Sequence, residues 1–465
     1  MNMINVRRLT VMTFLGASML SGISAQVSPL QVDTLKEMKI PTQWDLQSCI
    51  DYAKEQNITI RKNRITAAST QIDVKTAKAV MFPSLSFSTS QQVVNRPYQE
   101  TSSRVSGSEI ISSNSKTSYN GNYGLNASWT LYNGNKRLKT IQQEKLNNQM
   151  AELDVATSEN NIQESIAQVY IQILYAAESV KVNENTLQVS IAQRDRGQEL
   201  LNAGSIAKSD LAQLEAQVST DRYQLVTAQA TLEDYKLQLK QLLELDGENE
   251  MNIYLPALSD ENVLAPLPTK RDVYISALSL RPEIEASKLN VEASELGINI
   301  AKSSYFPTIS LSAGIGTNHT SGSDFTFGEQ VKNGWNNSIG LSVSVPIFNN
   351  RQTKSAVQKA KLQYETSMLS LLDEQKALYK TIESLWLDAN SAQQRYAAAN
   401  EKLKSTQISY ELISEQFNLG MKNTVELLTE KNNLLQAQQE QLQAKYMAIL
   451  NTQLLKFYQG DQLAL

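Results

Sequence analysis

The sequence predicts a mainly α-helical chain that carries four transmembrane β-strands in a duplicated helix–strand–strand–helix unit. Three observations predict it. Two long stretches lack helix breakers, three ordered internal matches recur at nearly constant spacing, and four short segments place their apolar residues at one parity.

The breakers are sharply segregated. Prolines stand at 29, 41, 83, 97, 256, 266, 268, 282, 307 and 346, which leaves 98–255 and 347–465 free of them. Between Gly134 and Gly247 the only glycines are Gly197 and Gly204, and between Gly340 and Gly460 the only one is Gly420. Two very long helical regions follow. From Gly134 to Ala203 a continuous helix would reach ~105 Å, several times the thickness of a bilayer core. Its first turns are crowded with Asn135, Lys136, Arg137, Lys139, Gln142, Gln143, Glu144 and Lys145, so it must leave the membrane.

The chain is written twice. KAVMFPSLS, from Lys78 to Ser86, matches KSSYFPTIS, from Lys302 to Ser310, at an offset of 224. GLNASWTLYNG, from Gly124 to Gly134, matches GLSVSVPIFNN, from Gly340 to Asn350, at 216, and LLNAGSIAKSDLAQL around Gly204 matches QFNLGMKNTVELLTE around Gly420 at the same offset. The first repeat is read as 42–245, with strands at about 84–95 and 119–132 and a helical tip at about 197–210. A linker at 246–270 precedes the second repeat, 271–460, with strands at about 308–316 and 335–348 and a tip at about 417–426.

Strand character rests on alternation. Tyr123, Leu125, Ala127, Trp129 and Leu131 alternate with Asn122, Asn126, Ser128 and Thr130, while Ile339, Leu341, Val343, Val345 and Ile347 alternate with Ser338, Ser342 and Ser344. Leu85, Phe87 and Val93 in the first strand, and Ile309, Leu311 and Ile315 in the third, keep the same parity. Phe82, Tyr132, Tyr305, Phe306 and Phe348 flank these strands as an aromatic girdle would. The loops 96–118 and 317–334, rich in Ser, Asn and Gly, would face outside. Open edges are not tolerated in lipid and about eight strands make the smallest closed barrel, so subunits must pool strands: eight from a dimer or twelve from a trimer.

Leu211, Leu214, Val218, Leu225, Ala228, Leu232, Tyr235, Leu239 and Leu242 follow steps of three and four, with Asp221 as the one polar member. Leu428, Leu435, Leu442 and Ile449 recur every seven in the second copy. Both read as coiled-coil seams.

The N-terminus reads as a secretory signal peptide over 1–25, with Arg7 and Arg8, an apolar run from Leu9 to Leu20 and small residues ending at Ala25; an extended segment follows over 26–41. The single cysteine, Cys49, lies too far downstream for a lipid anchor and falls on an apolar helical position. Without Arg7 and Arg8 the chain carries 41 basic and 47 acidic residues, a formal charge of −6, and nothing points to nucleic acid. The one histidine, His319, falls in a predicted outer loop. No Cys or His cluster suits a metal, no glycine-rich loop suits a phosphate and no nucleophile has a placed base, so no cofactor, metal or catalytic residue is expected and the chain is not read as an enzyme.

The signal peptide, the duplicated units, the strand exits WTLYNG and VPIFNN and the glycine-centred reversals together resemble the TolC-like outer-membrane efflux proteins, over roughly 42–460. The resemblance implies a homotrimer in the outer membrane: one twelve-stranded β-barrel continuing into a long periplasmic α-helical barrel. It implies a passive exit duct for efflux or type I secretion, met at Ala203, Gly204, Leu419 and Gly420 by a periplasmic membrane-fusion adaptor that links it to an inner-membrane transporter of RND, ABC or MFS type. Asp210 matches the family's tip-closing aspartate, Lys422 and Phe417 stand where the family has Arg and Tyr, and Glu426 matches an acidic ring position where Thr429 departs from a second. Lysine lacks a bidentate fork and phenylalanine cannot donate, so a weaker or different lock is expected. The rival reading is a non-conducting periplasmic coiled-coil scaffold or surface adhesin anchored by a small barrel.

Overall fold

The computed structural model describes residues 41–98, 116–246, 251–256, 263–321 and 325–463, and the backbone of 102–106 and 109–113. The expected signal peptide and most of the N-terminal segment lie outside these residues. All elements below belong to one compact unit, Gln43–Leu465.

The first copy opens with helices α1 (Leu46–Gln56) and α2 (Ile58–Ala79), capped by the side chains of Asp45 and Asn57. Strand β1 (Ser84–Asn95), a short hairpin of β2 (Ser102–Ser106) and β3 (Glu109–Ser113), and β4 (Thr117–Asn133) follow. Helices α3 (Lys136–Asn202) and α4 (Lys208–Leu242) complete it. The second copy repeats the order as α5 (Lys270–Leu280), α6 (Pro282–Ser303), β5 (Thr308–Thr320), α7 (Phe327–Asn333), β6 (Asn336–Ser344), α8 (Gln352–Asn418) and α9 (Thr424–Gln459). Helices α2 and α6 are both 22 residues long, and α3 and α8 are both 67, which is about 100 Å at 1.5 Å per residue.

The strand-to-helix turns repeat as well. Gly134 and Asn135 are left-handed at φ 67° and 62°, and Asn350 and Arg351 at 50° and 68°. A Cβ at Gly134 would lie 2.7 Å from the Ser303 carbonyl, so glycine is required there by both space and backbone sign.

The packed core lies where the short helices meet the middle of the long ones. Val273, Ala277 and Ile284 of α5 and α6 close on Leu378, Ile382 and Leu455 of α8 and α9. On the other copy Trp44 meets Tyr52 edge-on at 5.3 Å and exchanges backbone bonds with Asn252 and Tyr254, so the chain before α1 pairs with the linker. Tyr170 of α3 donates to the Tyr254 carbonyl at 2.6 Å. Each fully buried Leu or Ile contributes about 1.5–3 kcal/mol. Cys49, fully buried, has its thiol pushed up to about 12 by that burial.

Four features differ from expectation. The loop 96–118 contains β2 and β3, and the loop 317–334 contains α7, started by a Thr326–Glu329 capping box in which each residue bonds the other's backbone amide. Strand β5 runs on to Thr320, which places His319 in a strand, buried among Tyr119, Tyr123 and Phe327, and opposite Gly121, whose missing side chain leaves space for the imidazole. Strand β6 stops at Ser344 rather than 348, because Pro346, at the position equivalent to Thr130, has no N–H to give the ladder. In α9 the expected heptad line is buried at Leu442 and Ile449, but nearer the reversal Leu427, Lys431 and Leu434 are buried while Leu428 and Leu435 are only half-buried.

Candidate functional site

The candidate site has two parts, the sheet at one end of the long helices and the reversals at the other. The sheet is antiparallel in the order β1-β4-β5-β6, so β1 and β6 are its edges. Register brings the apolar parity into rows: Phe87 faces Leu125, which faces Ile315, while Trp129 faces Leu311, which faces Leu341. A bulge between Thr130 and Tyr132 adds one residue, so Tyr132 rather than Leu131 opposes Ile309. Among the described residues no element covers this face: Leu85, Phe87, Ile339 and Leu341 are all more than 60% exposed.

The other parity is a polar ladder. Ser84 and Ser128 hydroxyls are 2.8 Å apart, Asn122 donates to Ser90 at 3.3 Å, and Ser310, Ser312, Ser338 and Ser342 continue it across β5 and β6. Strand lengths of 12, 17, 13 and 9 residues bracket the roughly 9–11 residues a tilted strand needs to span a bilayer core. The flanking aromatics Phe82, Tyr305, Phe306 and Phe348 are exposed, Tyr132 is half-buried, and all five stand at the helical end of the sheet. A second exposed aromatic set at the opposite end, Tyr98, Phe325, Phe327 and Trp335, escaped the sequence reading. Aromatics bordering a polar loop were the signal for it.

At the far end of the helices, α3 and α8 stop in the same way. Gly204, at φ 72°, donates to Leu201 O at 2.9 Å while Ser205 donates to Leu200 O at 2.8 Å; Gly420, at φ 74°, and Met421 repeat the pair onto Phe417 and Gln416. Both are Schellman closures. Nothing lies within 4 Å of a Cβ built at either glycine, so the left-handed backbone alone requires it. Ala203, Leu419, Met421 and Val425 are exposed around these turns.

The next helices start asymmetrically. Asp210 accepts from the Ala207 amide at 3.0 Å, and Ala207 offers no side-chain acceptor in return. Asn423 and Glu426 form a complete reciprocal box, at 2.9 and 3.2 Å, and Lys422 donates to Glu426 at 2.5 Å. That bond, followed by the Asn423 amide, holds the Glu426 carboxyl below the usual carboxylate range. Thus the residues matched to a tip lock are not brought together within one chain: Asp210 caps its own helix, Lys422 is taken by Glu426, and Phe417 is buried. Among the described residues no group of three or more His, Cys, Asp or Glu is placed to hold a metal, and no helix is long and apolar enough to cross a membrane.

The Outer membrane efflux protein family model matches 49–244 and 273–460, which takes in both copies and omits the linker between them. The chain belongs to the outer membrane efflux protein family. It is therefore an outer-membrane protein of the TolC-like group. It is 24% identical over 294 residues to outer membrane efflux protein BepC of Brucella suis, covering 63% of this chain and 61% of BepC. It is likewise 24% identical over 294 residues to outer membrane protein TolC of Escherichia coli, covering 61% and 58%. The chain thus spans about three-fifths of the length of these relatives. The crystal structure of CusC shares the fold at a TM-score of 0.76 with 19% identity, covering 90% of this chain and 92% of CusC.

Proposed function

We propose that three copies of this chain form a passive exit duct through the outer membrane and periplasm, for efflux or type I secretion. The observation that carries the reading is the sheet: two unpaired edges, one face apolar and uncovered, the other lined by serine and asparagine. In lipid each unpaired edge group costs several kcal/mol, so β1 of one copy pairs with β6 of the next. The resemblance supports three copies and twelve strands, with the serine and asparagine row facing the lumen and the apolar row facing lipid. The helices carry that lumen into the periplasm as an α-helical barrel.

The exposed Leu419, Met421 and Val425 beside Gly420, with Ala203 and Gly204 on the sister turn, support docking of a periplasmic membrane-fusion adaptor, which couples the duct to an inner-membrane transporter of RND, ABC or MFS type. The intrachain bonds of Asp210 and Lys422 support a tip lock weaker than one built from an arginine fork. A generic polar lining leaves cargo choice to the pump.

Purified protein in a planar bilayer tests this. The duct reading expects discrete single-channel currents that grow when Asp210→Ala or Lys422→Ala frees the tip. Inserted protein that passes no current in any of these forms would identify a scaffold instead.

A further inference from the structure

The α3/α4 and α8/α9 hairpins meet along a seam that one charged residue from each enters. Asp221 takes the place of an apolar residue after Leu214 and Val218 on α4, and Lys431 sits between Leu427 and Leu434 on α9. Both side chains are nearly inaccessible, at 1% and 4% exposed. Lys431 Nζ donates to Asp221 Oδ2 and to the Ser190 hydroxyl of α3, and Ser190 donates to the same carboxylate oxygen. The second oxygen, Oδ1, accepts from Gln217 at 2.8 Å, and Gln217 also reaches Asn432 of α9 at 3.3 Å. Among the described residues, this is the one ion pair joining the two long hairpins. Their other side-chain bonds near it, Gln193 to Tyr410 at 2.9 Å and Ser179 to Gln439 at 3.1 Å, are neutral.

We propose that Asp221, Lys431 and Ser190 form a latch between the hairpins, set about 20 Å behind the tip, whose parting lets the periplasmic end dilate. The proposal rests on the duct reading for its purpose, not for its geometry. A buried ion pair is a poor source of net stability, since well-packed apolar residues in its place are often neutral or better; its attested use is fixing register or serving as a switch. An apolar seam loses its whole burial energy when parted. Here the parted carboxylate and ammonium regain hydration, which lowers the cost of opening. The charge also fixes which faces meet again, because any slip along the seam leaves a buried charge unpaired. The pair's setting agrees: burial pulls the Lys431 amine below the ordinary lysine range even against the pull of Asp221.

The test pairs spin labels at Ala203 and Leu419, one on each reversal, in the assembled full-length protein, with conductance measured on the same variants. Asp221→Ala and Lys431→Ala should lengthen and broaden the label distance and raise the open fraction by roughly a hundredfold. The swap D221K/K431D should restore both readouts, and an apolar seam, D221L/K431M, should keep the short distance and abolish opening. Unchanged distances in the single variants would overturn the latch. Lengthened distances with no current from any variant would overturn the duct reading and leave the latch standing. Should the alanine variants fail to assemble, the swap and the apolar seam decide: both must hold the short distance.

Discussion

The Glu426 carboxylate accepts from the Lys422 amine and the Asn423 amide, and the Asn423 side chain in turn accepts the Glu426 amide. Its folded pKa is depressed, so the stability it lends to the turn is fully present above the ordinary value of 4.5 and is lost as pH falls through the lower folded value. Amide exchange over Asn423–Leu427, corrected for intrinsic rates, should accelerate on acidification below that value. Glu426→Gln should remove this pH dependence while retaining part of the box, and exchange that stays equally pH-dependent in the variant would assign the effect elsewhere. The sequence made Glu426 visible through its place after Gly420, and its partner Lys422 through the same turn. What it withheld was that each is occupied locally, which depends on side-chain direction at a helix start. The Asp221–Lys431 pair was legible only as an odd polar member of a seam, because its partner lies 210 residues away.

Among the elements, the strands were the most legible and the half of the second helical seam nearest the reversal the least. Period-two alternation is local, so parity survives whatever packs on the sheet. The choice between Leu427 with Leu434 and Leu428 with Leu435 is set by the helices that α9 packs on, chiefly α8, and a heptad count cannot see them. The Pro346 stop and the Thr326–Glu329 box were written in the sequence as an absent donor and a T-x-x-E spacing. Parity also yields a direct check, with Cys49 as a silent background because its thiol is buried and stays protonated to about 12. Cysteines replacing Ser86, Asn126, Ser312 and Ser342 should react with a membrane-impermeant maleimide in reconstituted protein. Those replacing Phe87, Leu125, Leu311 and Leu341 should resist it, and equal labelling of the two sets would remove the lipid-facing assignment.

At the scale of the whole molecule, the same order of elements occurs twice, and each half supplies a half-built structure. Each copy brings a hairpin of long helices and two strands of the main sheet, and the four strands leave the outer edges of β1 and β6 unpaired. Within one chain these edges stand three strand spacings apart, ~14 Å, well beyond the ~7 Å limit for a disulfide. A bond between them therefore has to join two copies. The decisive measurement is oxidative crosslinking in membranes, with one cysteine scanned along Ser84–Ser88 of β1 and another along Ser338–Ser342 of β6, read as covalent mass under denaturing conditions. A ring of three predicts that matched registers give a covalent ladder ending at three chains. Monomers at every register, or a ladder continuing beyond three, would contradict it.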